Sequence, residues 1–307
     1  MSASPVTATA NIDGEISPAA QAKIPIMDRG FLYGDSVYEV FRTYQGVPFL
    51  MIEHFDRLEN SARLISMRIS QSRPELLAEI RRTVCSSGAS DGNDVYVRYQ
   101  ITRGEGPVDL YPDPSLKTRY VIIVKALPPW NREFYEVGMK MAVPGVRRNP
   151  TDALDPNIKG GNYLNNILAI TEARKLGADD CIILNHAGFV TEAANSNVWF
   201  VLDGELVTPG SGNLRGLTKN ALHEACAARG IPTRETDIRC DRLAAVTECF
   251  VSSATREVMP VKSLRLEDGT TVKFPSGGGE QTRRVREIFT EYIADYVAAH
   301  ASDTLFA

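Results

Sequence analysis

The sequence predicts a mixed α/β protein of the α+β type, built as two domains. Its 307 residues are enough for two hydrophobic cores. Strand-like runs do not alternate regularly with helical patterns, which disfavours a doubly wound sheet. A proline-containing stretch, "PPWNREFYEVG", interrupts both patterns and is typical of a connector. We therefore expect a small N-terminal α/β domain over residues 1–128, a linker over 129–138 and a larger C-terminal domain over 139–307.

The predicted small domain begins with a polar tail and continues with helices and strands. Residues 1–10 are small and polar, which is typical of a loose terminus. Phe55, Leu58 and Ala62 recur at helical spacing, and Pro74 suits the first turn of a second helix. Two segments rich in β-branched and aromatic residues predict strands, "DVYVRYQITRG" and "RYVIIVKAL".

The predicted large domain contains several short strands and three helices. The first helix, "GNYLNNILAITEARKLG", ends at Gly177, a residue type favoured just after a helix. The other two helices are "GLTKNALHEACAARG" and "EQTRRVREIFTEYIADYVAAH". The strand-like runs are "MKMAVPGV", "DDCIILN", "FVTEA", "NVWFVLDGELVTP", "ECFVSSA" and "EVMPV".

Composition and missing motifs exclude several classes of function. The net charge is −4 without a basic tract, so binding to nucleic acid or to a membrane surface has no electrostatic support. No apolar run is long enough for a membrane span, and no secretion signal is apparent, so we expect a cytoplasmic protein. The five cysteines are widely spread, which predicts neither disulfides nor a metal site. Dinucleotide, P-loop, zinc-protease and serine-hydrolase motifs are absent.

One lysine lies in an unusual context. Lys159 stands in "NIKGGNYLNN", a stretch without an acid to pair with it. A surface lysine is the common alternative. However, Gly160 and Gly161 remove side-chain bulk beside the amine, as close approach of a ligand would require.

Two segments could bind an anion, and a third supplies an acid. Residues 210–222 carry glycines that lead into a helix with Thr218 in its first turn, a pattern that favours an anion, although an ordinary glycine-rich turn is an alternative. Hydroxyl residues cluster in 251–261, where a polar corner is the alternative. Glu192 lies among small residues after a strand, and a surface acid is the alternative. An amine, an acid and phosphate donors are together what pyridoxal phosphate requires.

Six motifs occur in one order along most of the chain: "DRGFLYGDSVYEVFR", "EHFDRLENSA", "KGGNYLNN", "VTEAANSNVWF", "LRGLTK" and "SSATREVMPV". In this respect the sequence resembles the class IV, or fold-type IV, pyridoxal-phosphate aminotransferases, from about residue 10 to residue 265. The family includes branched-chain, D-amino-acid and (R)-selective amine transaminases and aminodeoxychorismate lyases. The resemblance implies a small α/β domain, a larger pseudo-barrel domain, and a homodimer with active sites at the interface.

The resemblance also implies roles for individual residues. Lys159 would form the Schiff base with pyridoxal 5'-phosphate and shuttle the proton. Glu192 would pair with the pyridine nitrogen, and Tyr163 would hydrogen-bond the phenolic oxygen. The phosphate ligands would be Arg57, Leu217, Thr218, Ser253 and Ala254.

The substrate subgroup rests on residues of a predicted pocket. The Tyr96–Arg98 pair matches branched-chain enzymes, and Tyr33 matches both the branched-chain and the D-amino-acid groups. Val40 is closer to the D-amino-acid and amine groups. Loop 102–112 contains the T-R-G of the D-amino-acid group, but Val108 and Leu110 lie near the positions of that group's arginine and histidine. Arg103 or Arg42 could bind a carboxylate or form a structural ion pair.

We expect ping-pong transfer from an apolar, branched-chain-like L-amino acid to a 2-oxo acid. The alternatives are a D-amino-acid or (R)-amine transaminase, an aminodeoxychorismate lyase, and a non-catalytic binding protein. The substrate residues are Tyr33, Tyr38, Val40, Tyr96, Arg98 and Thr255.

Overall fold

A computed structural model describes residues 5–90, 93–127 and 130–306, and it confirms the mixed α/β class. Within these residues, helices accompany a six-stranded and a nine-stranded sheet. Contacts divide the chain into two compact units. The first is Met1–Pro128 with Ile158–Asn162 and Ile293–Ala307, and the second is Pro129–Asn157 with Tyr163–Tyr292. Because this division reflects contacts alone, the predicted domain boundaries stay a prediction.

The first unit is an antiparallel sheet with two helices packed on one face. The strand order is β2-β1-β6-β5-β3-β4. The inward side chains of β3, β5 and β6 pack against α2 and α3, so the core lies on that face. The elements are β1 (Thr9–Ile12), β2 (Glu15–Pro18), α1 (Arg29–Tyr33), β3 (Ser36–Tyr44), β4 (Val47–Pro48), α2 (Met51–Leu64), α3 (Arg73–Ser86), β5 (Val95–Thr102) and β6 (Arg119–Ala126).

The N-terminal segment differs from its prediction. A loose tail was expected through residue 10, and its first four residues lie outside the described part of the chain. However, Thr9 and Ala10 are buried in β1, between β2 and β6. The polar Asn11 on the same strand is satisfied in the core, because its Nδ2 donates to Glu79 and Thr83 of α3. Small and polar residues therefore form a strand where a helix supplies their hydrogen-bond partners.

The second unit is built around a curled sheet of order β12-β11-β10-β13-β14-β7-β8-β9, with β15 beside β14. Strand β9 contacts β10 and β11, so the sheet bends into a half-barrel. Met141, Ile182, Phe200 and Val251 lie in its core. The elements are α4 (Glu133–Glu136), β7 (Met139–Ala142), α5 (Leu164–Lys175), β8 (Asp180–Leu184), β9 (Val190–Ala193), β10 (Asn197–Leu202), β11 (Glu205–Pro209), α6 (Leu217–Ala228), β12 (Thr233–Thr236), β13 (Glu248–Ser253), β14 (Glu257–Arg265), β15 (Thr271–Lys273) and α7 (Glu280–Ala299).

Candidate active site

Lys159 lies on a short segment that extends the edge of the first sheet. Gly160 forms an antiparallel bridge with Val37. The Tyr38 N–H donates to the Lys159 carbonyl at 2.9 Å, and the Lys159 N–H donates to Ser61 Oγ of α2 at 3.2 Å. Both backbone polar groups of Lys159 are therefore satisfied, and its Cα is fixed between β3 and α2.

The two glycines after Lys159 have different surroundings. A Cβ on Gly161 would come within 2.3 Å of Ser36 Oγ, so Gly161 is needed for the close approach of the segment to β3. A Cβ on Gly160 would meet its nearest atom, the Ser36 carbonyl oxygen, at 3.3 Å. The close contact with Ser36 thus accounts for Gly161, and space for a ligand stays the prediction for Gly160.

The Lys159 amine faces the side of the sheet opposite the helices. Its Nζ lies 4.7 Å from the centroid of the Tyr38 ring, and the Arg98 guanidinium carbon lies 3.6 Å from the same centroid. Val40 is the cross-strand partner of Arg98. Because alternate residues share a face, Tyr38, Val40, Tyr96 and Arg98 line one surface with the lysine.

Two tyrosines predicted for the substrate pocket differ in their surroundings. Burial raises the pKa of Tyr96, with Arg98 opposing the shift, so Tyr96 keeps its proton near neutral pH. Tyr33 lies under the guanidinium of Arg29, at 4.9 Å from its ring centroid. Arg29 in turn donates to the carbonyls of residues 109 and 110, so Tyr33 is at the base of that loop.

A buried ion pair lies on the core side of β3. Glu39 Oε1 accepts from Arg57 Nε at 2.7 Å, and Oε2 accepts from Arg57 Nη2 at 2.8 Å. His54 Nδ1 lies 2.7 Å from Oε2. Burial alone would raise the pKa of Glu39, but Arg57 and His54 hold it well below its usual range. Burial lowers the pKa of His54 despite Glu39, so the neutral ring donates Nδ1–H to the carboxylate.

In the second unit, Glu192 is held by two donors. It lies on β9 and is 6% exposed. Arg148 Nη2 lies 2.7 Å from Oε1, and the Leu214 N–H donates to Oε2 at 3.2 Å. Arg148 Nη1 donates to Asn166 Oδ1, and Asn166 donates to the Ala194 carbonyl. The carboxylate is therefore paired with a guanidinium and fixed in direction.

The glycine-rich loop before α6 is shaped by side chains that bind its carbonyls. Asn197 Nδ2 donates to the Leu214 carbonyl at 2.9 Å, and Asn213 Nδ2 donates to two further loop carbonyls. Gly216 is the N-cap of α6, and the cap has no side-chain hydrogen bond. The first N–H groups of a helix lack an acceptor within it, so the first turn with Leu217 and Thr218 suits an anion.

The turn after β13 is anchored by a buried arginine. Ser253 Oγ accepts from the Arg256 N–H at 3.3 Å, and the Thr255 carbonyl accepts from Trp130 Nε1 at 2.8 Å. Arg256 Nη1 lies 2.5 Å from Asp180 Oδ2, and both residues are buried. Ala254 lies within this turn.

The predicted site residues fall into two sets. In the first unit, the Lys159 amine and the Arg98 guanidinium both lie near the Tyr38 ring. In the second unit, Glu192 lies on β9, Leu217 and Thr218 in the first turn of α6, and Ser253 at the end of β13. Sequence reasoning missed the residues that hold the others in place, Glu39, His54, Ser61, Arg148 and Asn197. A charged residue at a core position of β3 is a signal that could have found Glu39.

The proposed alternative for Arg103 as a carboxylate ligand is not supported. Its Nε lies 2.7 Å from Asp35 Oδ2, and its terminal nitrogens donate to the carbonyls of Ile65 and Ser66. Arg42 lies over the Tyr44 ring and 3.8 Å from Asp94. Both arginines have structural partners. Over the part of the chain that the structure describes, no helix could cross a membrane, and no cluster of three or more His, Cys, Asp or Glu residues could hold a metal ion.

Comparison with known families identifies the class. The profile of the family described as Amino-transferase class IV matches residues 36–264. The chain belongs to this family and is an aminotransferase, as the resemblance indicated. The hypothesis of a non-catalytic binding protein is therefore not retained.

Individual relatives are similar over nearly their whole length. A D-alanine aminotransferase of Staphylococcus epidermidis is 31% identical over 289 residues, which is 93% of this chain and 98% of that protein. The branched-chain amino acid aminotransferase of Escherichia coli gives a TM-score of 0.84 at 28% identity, covering 93% of this chain and 94% of that one. The T.th. branched-chain enzyme with pyridoxamine 5'-phosphate gives 0.82 at 25% identity, covering 95% and 96%. The fold-type IV architecture is thus confirmed, and the relatives' names divide between two substrate classes.

Proposed function

We propose that the protein uses pyridoxal 5'-phosphate to transfer an amino group from an apolar, branched-chain-like L-amino acid to a 2-oxo acid. The observation that carries the proposal is the Lys159 amine 4.7 Å from the centroid of the Tyr38 ring, over which the Arg98 guanidinium also lies, on a segment whose backbone is fixed on both sides. A relative of the same fold has pyridoxamine 5'-phosphate bound. The proposal therefore combines the position of the Lys159 amine in this structure with the cofactor that is bound in a relative.

The donor groups fit the cofactor. When bound, pyridoxal phosphate supplies an aldehyde that condenses with amines and a ring that accepts the electron pair left at Cα. The first turn of α6 has no side-chain cap and is preceded by a glycine, as a phosphate cradle requires. A fixed carboxylate suits a protonated ring nitrogen. The proposed ligands are Lys159 for the aldehyde, Glu192 for the ring nitrogen, Tyr163 for the phenolic oxygen, and Arg57, Leu217, Thr218, Ser253 and Ala254 for the phosphate.

Lys159 is the proposed proton carrier. With the cofactor bound, the amine of Lys159, when free, would take the proton from the substrate Cα and would hold it for return to the reacting atoms. The hydrogen bonds at its N–H and carbonyl keep Cα in place, so only the side chain has to move. The proton would therefore move over a short path, which is expected to make its transfer faster.

The substrate assignment rests on the open face of the first sheet. Arg98 lies over Tyr38 and donates to Gln100, while Tyr96 keeps its proton, so the face offers donors for a carboxylate. Val40 adds an apolar surface. We therefore place the carboxylate near Tyr96 and Arg98 and the apolar side chain near Val40.

A D-amino-acid substrate is the second candidate, because a D-alanine aminotransferase is among the similar proteins. Against it, Arg103 is committed to Asp35 and to two carbonyls. Val108 and Leu110, which stand near that group's carboxylate-binding positions, are 72% and 79% exposed apolar residues. Those residues offer no charge to a carboxylate.

We also propose a homodimer with active sites at its interface. Segments 24–31 and 105–111 are adjacent, because the Gly106 N–H donates to the Met27 carbonyl and the backbones of Asp28 and Glu105 form an antiparallel β-bridge. They expose a group of large apolar side chains that soluble monomers rarely leave uncovered. Light scattering should give twice the chain mass, and Phe31→Glu should reduce it; a monomeric wild type would contradict the proposal. The exposed residues are Ile24, Ile26, Met27, Phe31, Val108, Leu110 and Tyr111.

Absorbance of the cofactor-loaded protein tests the substrate assignment. L-leucine, D-alanine and (R)-1-phenylethylamine are added separately to wild type, Arg98→Gln and Lys159→Ala. We expect L-leucine alone to bleach the band of the wild type rapidly and Arg98→Gln to slow the change. Faster bleaching by D-alanine or the amine would transfer the assignment to those groups. Repeated turnover of added aminodeoxychorismate without any 2-oxo acid would indicate the lyase, because a transaminase releases only one equivalent of product without an acceptor.

A further inference from the structure

We propose that Glu39 is a positioning residue for the cofactor phosphate, because it fixes the Arg57 guanidinium in the orientation that binds the phosphate. The inference rests on the proposed role of Arg57 as a phosphate ligand. Its basis is the two-point contact, with Glu39 Oε1 2.7 Å from Arg57 Nε and Oε2 2.8 Å from Nη2. Two parallel hydrogen bonds define the plane of the guanidinium as well as its position.

The location of Glu39 argues against a purely structural ion pair. Val37 and Phe41, the inward neighbours on β3, are fully buried apolar residues, and Glu39 between them is also fully buried. Replacing a buried ion pair by apolar side chains is often neutral or stabilising. A charge that breaks the apolar pattern of a core strand is therefore expected where function requires it.

The pair is asymmetric in its exposure. The Glu39 side chain is 0% exposed and that of Arg57 is 13% exposed. Glu39 engages two of the five N–H donors of the guanidinium, so the other three lie outside this two-point contact. The carboxylate is enclosed by the core, whereas the arginine that it holds reaches the edge of the core.

His54 completes the arrangement from the same helix. Its Nδ1 lies 2.7 Å from Oε2, and it is 3% exposed. His54 and Arg57 are three residues apart on α2, so they share a helix face. Glu39 is thus held by both residues, and it cannot rotate without breaking contacts to each. Because His54 is neutral and the two charges cancel, Arg57 contributes directed donors more than net charge.

Binding of two ligands to the full-length, cofactor-free protein tests this role. Pyridoxal 5'-phosphate and pyridoxal differ only in the phosphate, so the dissociation constant of pyridoxal divided by that of pyridoxal 5'-phosphate isolates the phosphate contacts. We expect Glu39→Gln to weaken binding of the phosphate form by about tenfold and leave pyridoxal unchanged. Arg57→Gln should do the same, and the double variant should be no weaker than Arg57→Gln alone, because both act through one contact.

A matched control separates positioning from stability. Asn11 is also fully buried, and its Nδ2 donates to Glu79 Oε2 at 2.7 Å, so Asn11→Ala removes a polar contact of the core in the same unit. It should lower the melting temperature without changing the ratio of the two dissociation constants. If Glu39→Gln also changed only the melting temperature, the inference would be wrong. Should Glu39→Gln fail to fold, Glu39→Asp keeps the charge but shortens the reach, and it should still lower the ratio.

The outcomes distinguish the role of Arg57 as a phosphate ligand from the role of Glu39 in positioning it. An unchanged ratio in Arg57→Gln would show that Arg57 does not bind the phosphate, and both roles would be rejected. A lowered ratio in Arg57→Gln with a wild-type ratio in both Glu39 variants would keep the role of Arg57 and overturn that of Glu39.

Discussion

The two units hold their candidate functional groups by different physical means. The first fixes side chains with side chains, since Glu39 holds Arg57 within a buried ion pair. The second also fixes the Glu192 carboxylate with Arg148. Its candidate phosphate site differs, because it consists of backbone N–H groups at the start of α6, on a loop whose carbonyls are bound by Asn197 and Asn213. A site of the first kind is sensitive to the loss of a charge or an amine. A site of the second kind is sensitive to the addition of a single methyl group.

Loss of the amine should give the largest effect. Lys159→Ala removes the proposed covalent anchor and proton carrier, so we expect kcat/KM to fall roughly 10⁴-fold. Steady-state kinetics with L-leucine and a 2-oxo acid measure this. The surface variant Lys117→Ala should match wild type. Activity of Lys159→Ala within tenfold of wild type would remove Lys159 from the mechanism.

Neutralising the fixed carboxylate of the second unit should rank next. Glu192→Gln keeps the shape but removes the charge that favours a protonated ring nitrogen, so we expect kcat to fall on the order of a hundredfold. The protein should still bind pyridoxal 5'-phosphate, because the phosphate contacts remain. Parallel measurements of kcat and of cofactor affinity separate the two effects; a loss confined to affinity would contradict the assigned role.

A methyl group on the loop should have a smaller effect. A Cβ at Gly216 would come within 1.9 Å of Asn197 Oδ1, although its backbone angles suit any residue. Gly216→Ala should therefore displace Asn197 and weaken cofactor binding about tenfold. Gly210→Ala, in the same loop, meets its nearest atom only at 3.4 Å and serves as the control. Equal affinities of the two variants would show that the cradle does not depend on this contact.

The smallest expected effect is on stability against pH. The pKa of His54 is lowered from 6.5 by burial, so the unfolded chain binds a proton that the folded chain excludes. Stability is thus full at neutral pH and falls below about pH 6.5, by at most about 1.4 kcal/mol per pH unit for one group. Urea unfolding at pH 7 and pH 5 should show a smaller decline in His54→Gln. His223, whose pKa is also lowered by burial, continues to contribute in that variant, and an unchanged decline would contradict the assignment.

The difference between local and long-range interactions also explains which elements of the fold could be predicted from the sequence. Periodicity and glycine placement predicted α3, α5 and α6, because these signals are local. The β1 strand was missed, since its polar Asn11 is satisfied only by Glu79 and Thr83. Long-range partners of this kind leave no local pattern.

The candidate site was predictable to a similar extent. Lys159 and the loop before α6 stand out because glycines mark them, and the family confirms the class of enzyme. Glu39, His54 and Arg148 were missed, since their meaning depends on which residues the fold places within hydrogen-bond distance. The substrate subgroup depends on the arrangement of Tyr38, Arg98 and their neighbours, which local patterns do not encode.

The order of the chain has a consequence for biosynthesis. The first unit includes residues 158–162 and 293–307 as well as its N-terminal part. The Leu305 N–H donates to the Gly46 carbonyl, and the Leu50 N–H donates to the hydroxyl of Tyr296. We therefore expect the core of the first unit, which includes Leu305, to remain incomplete until the last turns of α7 and the segment after it leave the ribosome. A chain that stalls before that point would present an unfinished surface to chaperones, even though most of its residues had been synthesised.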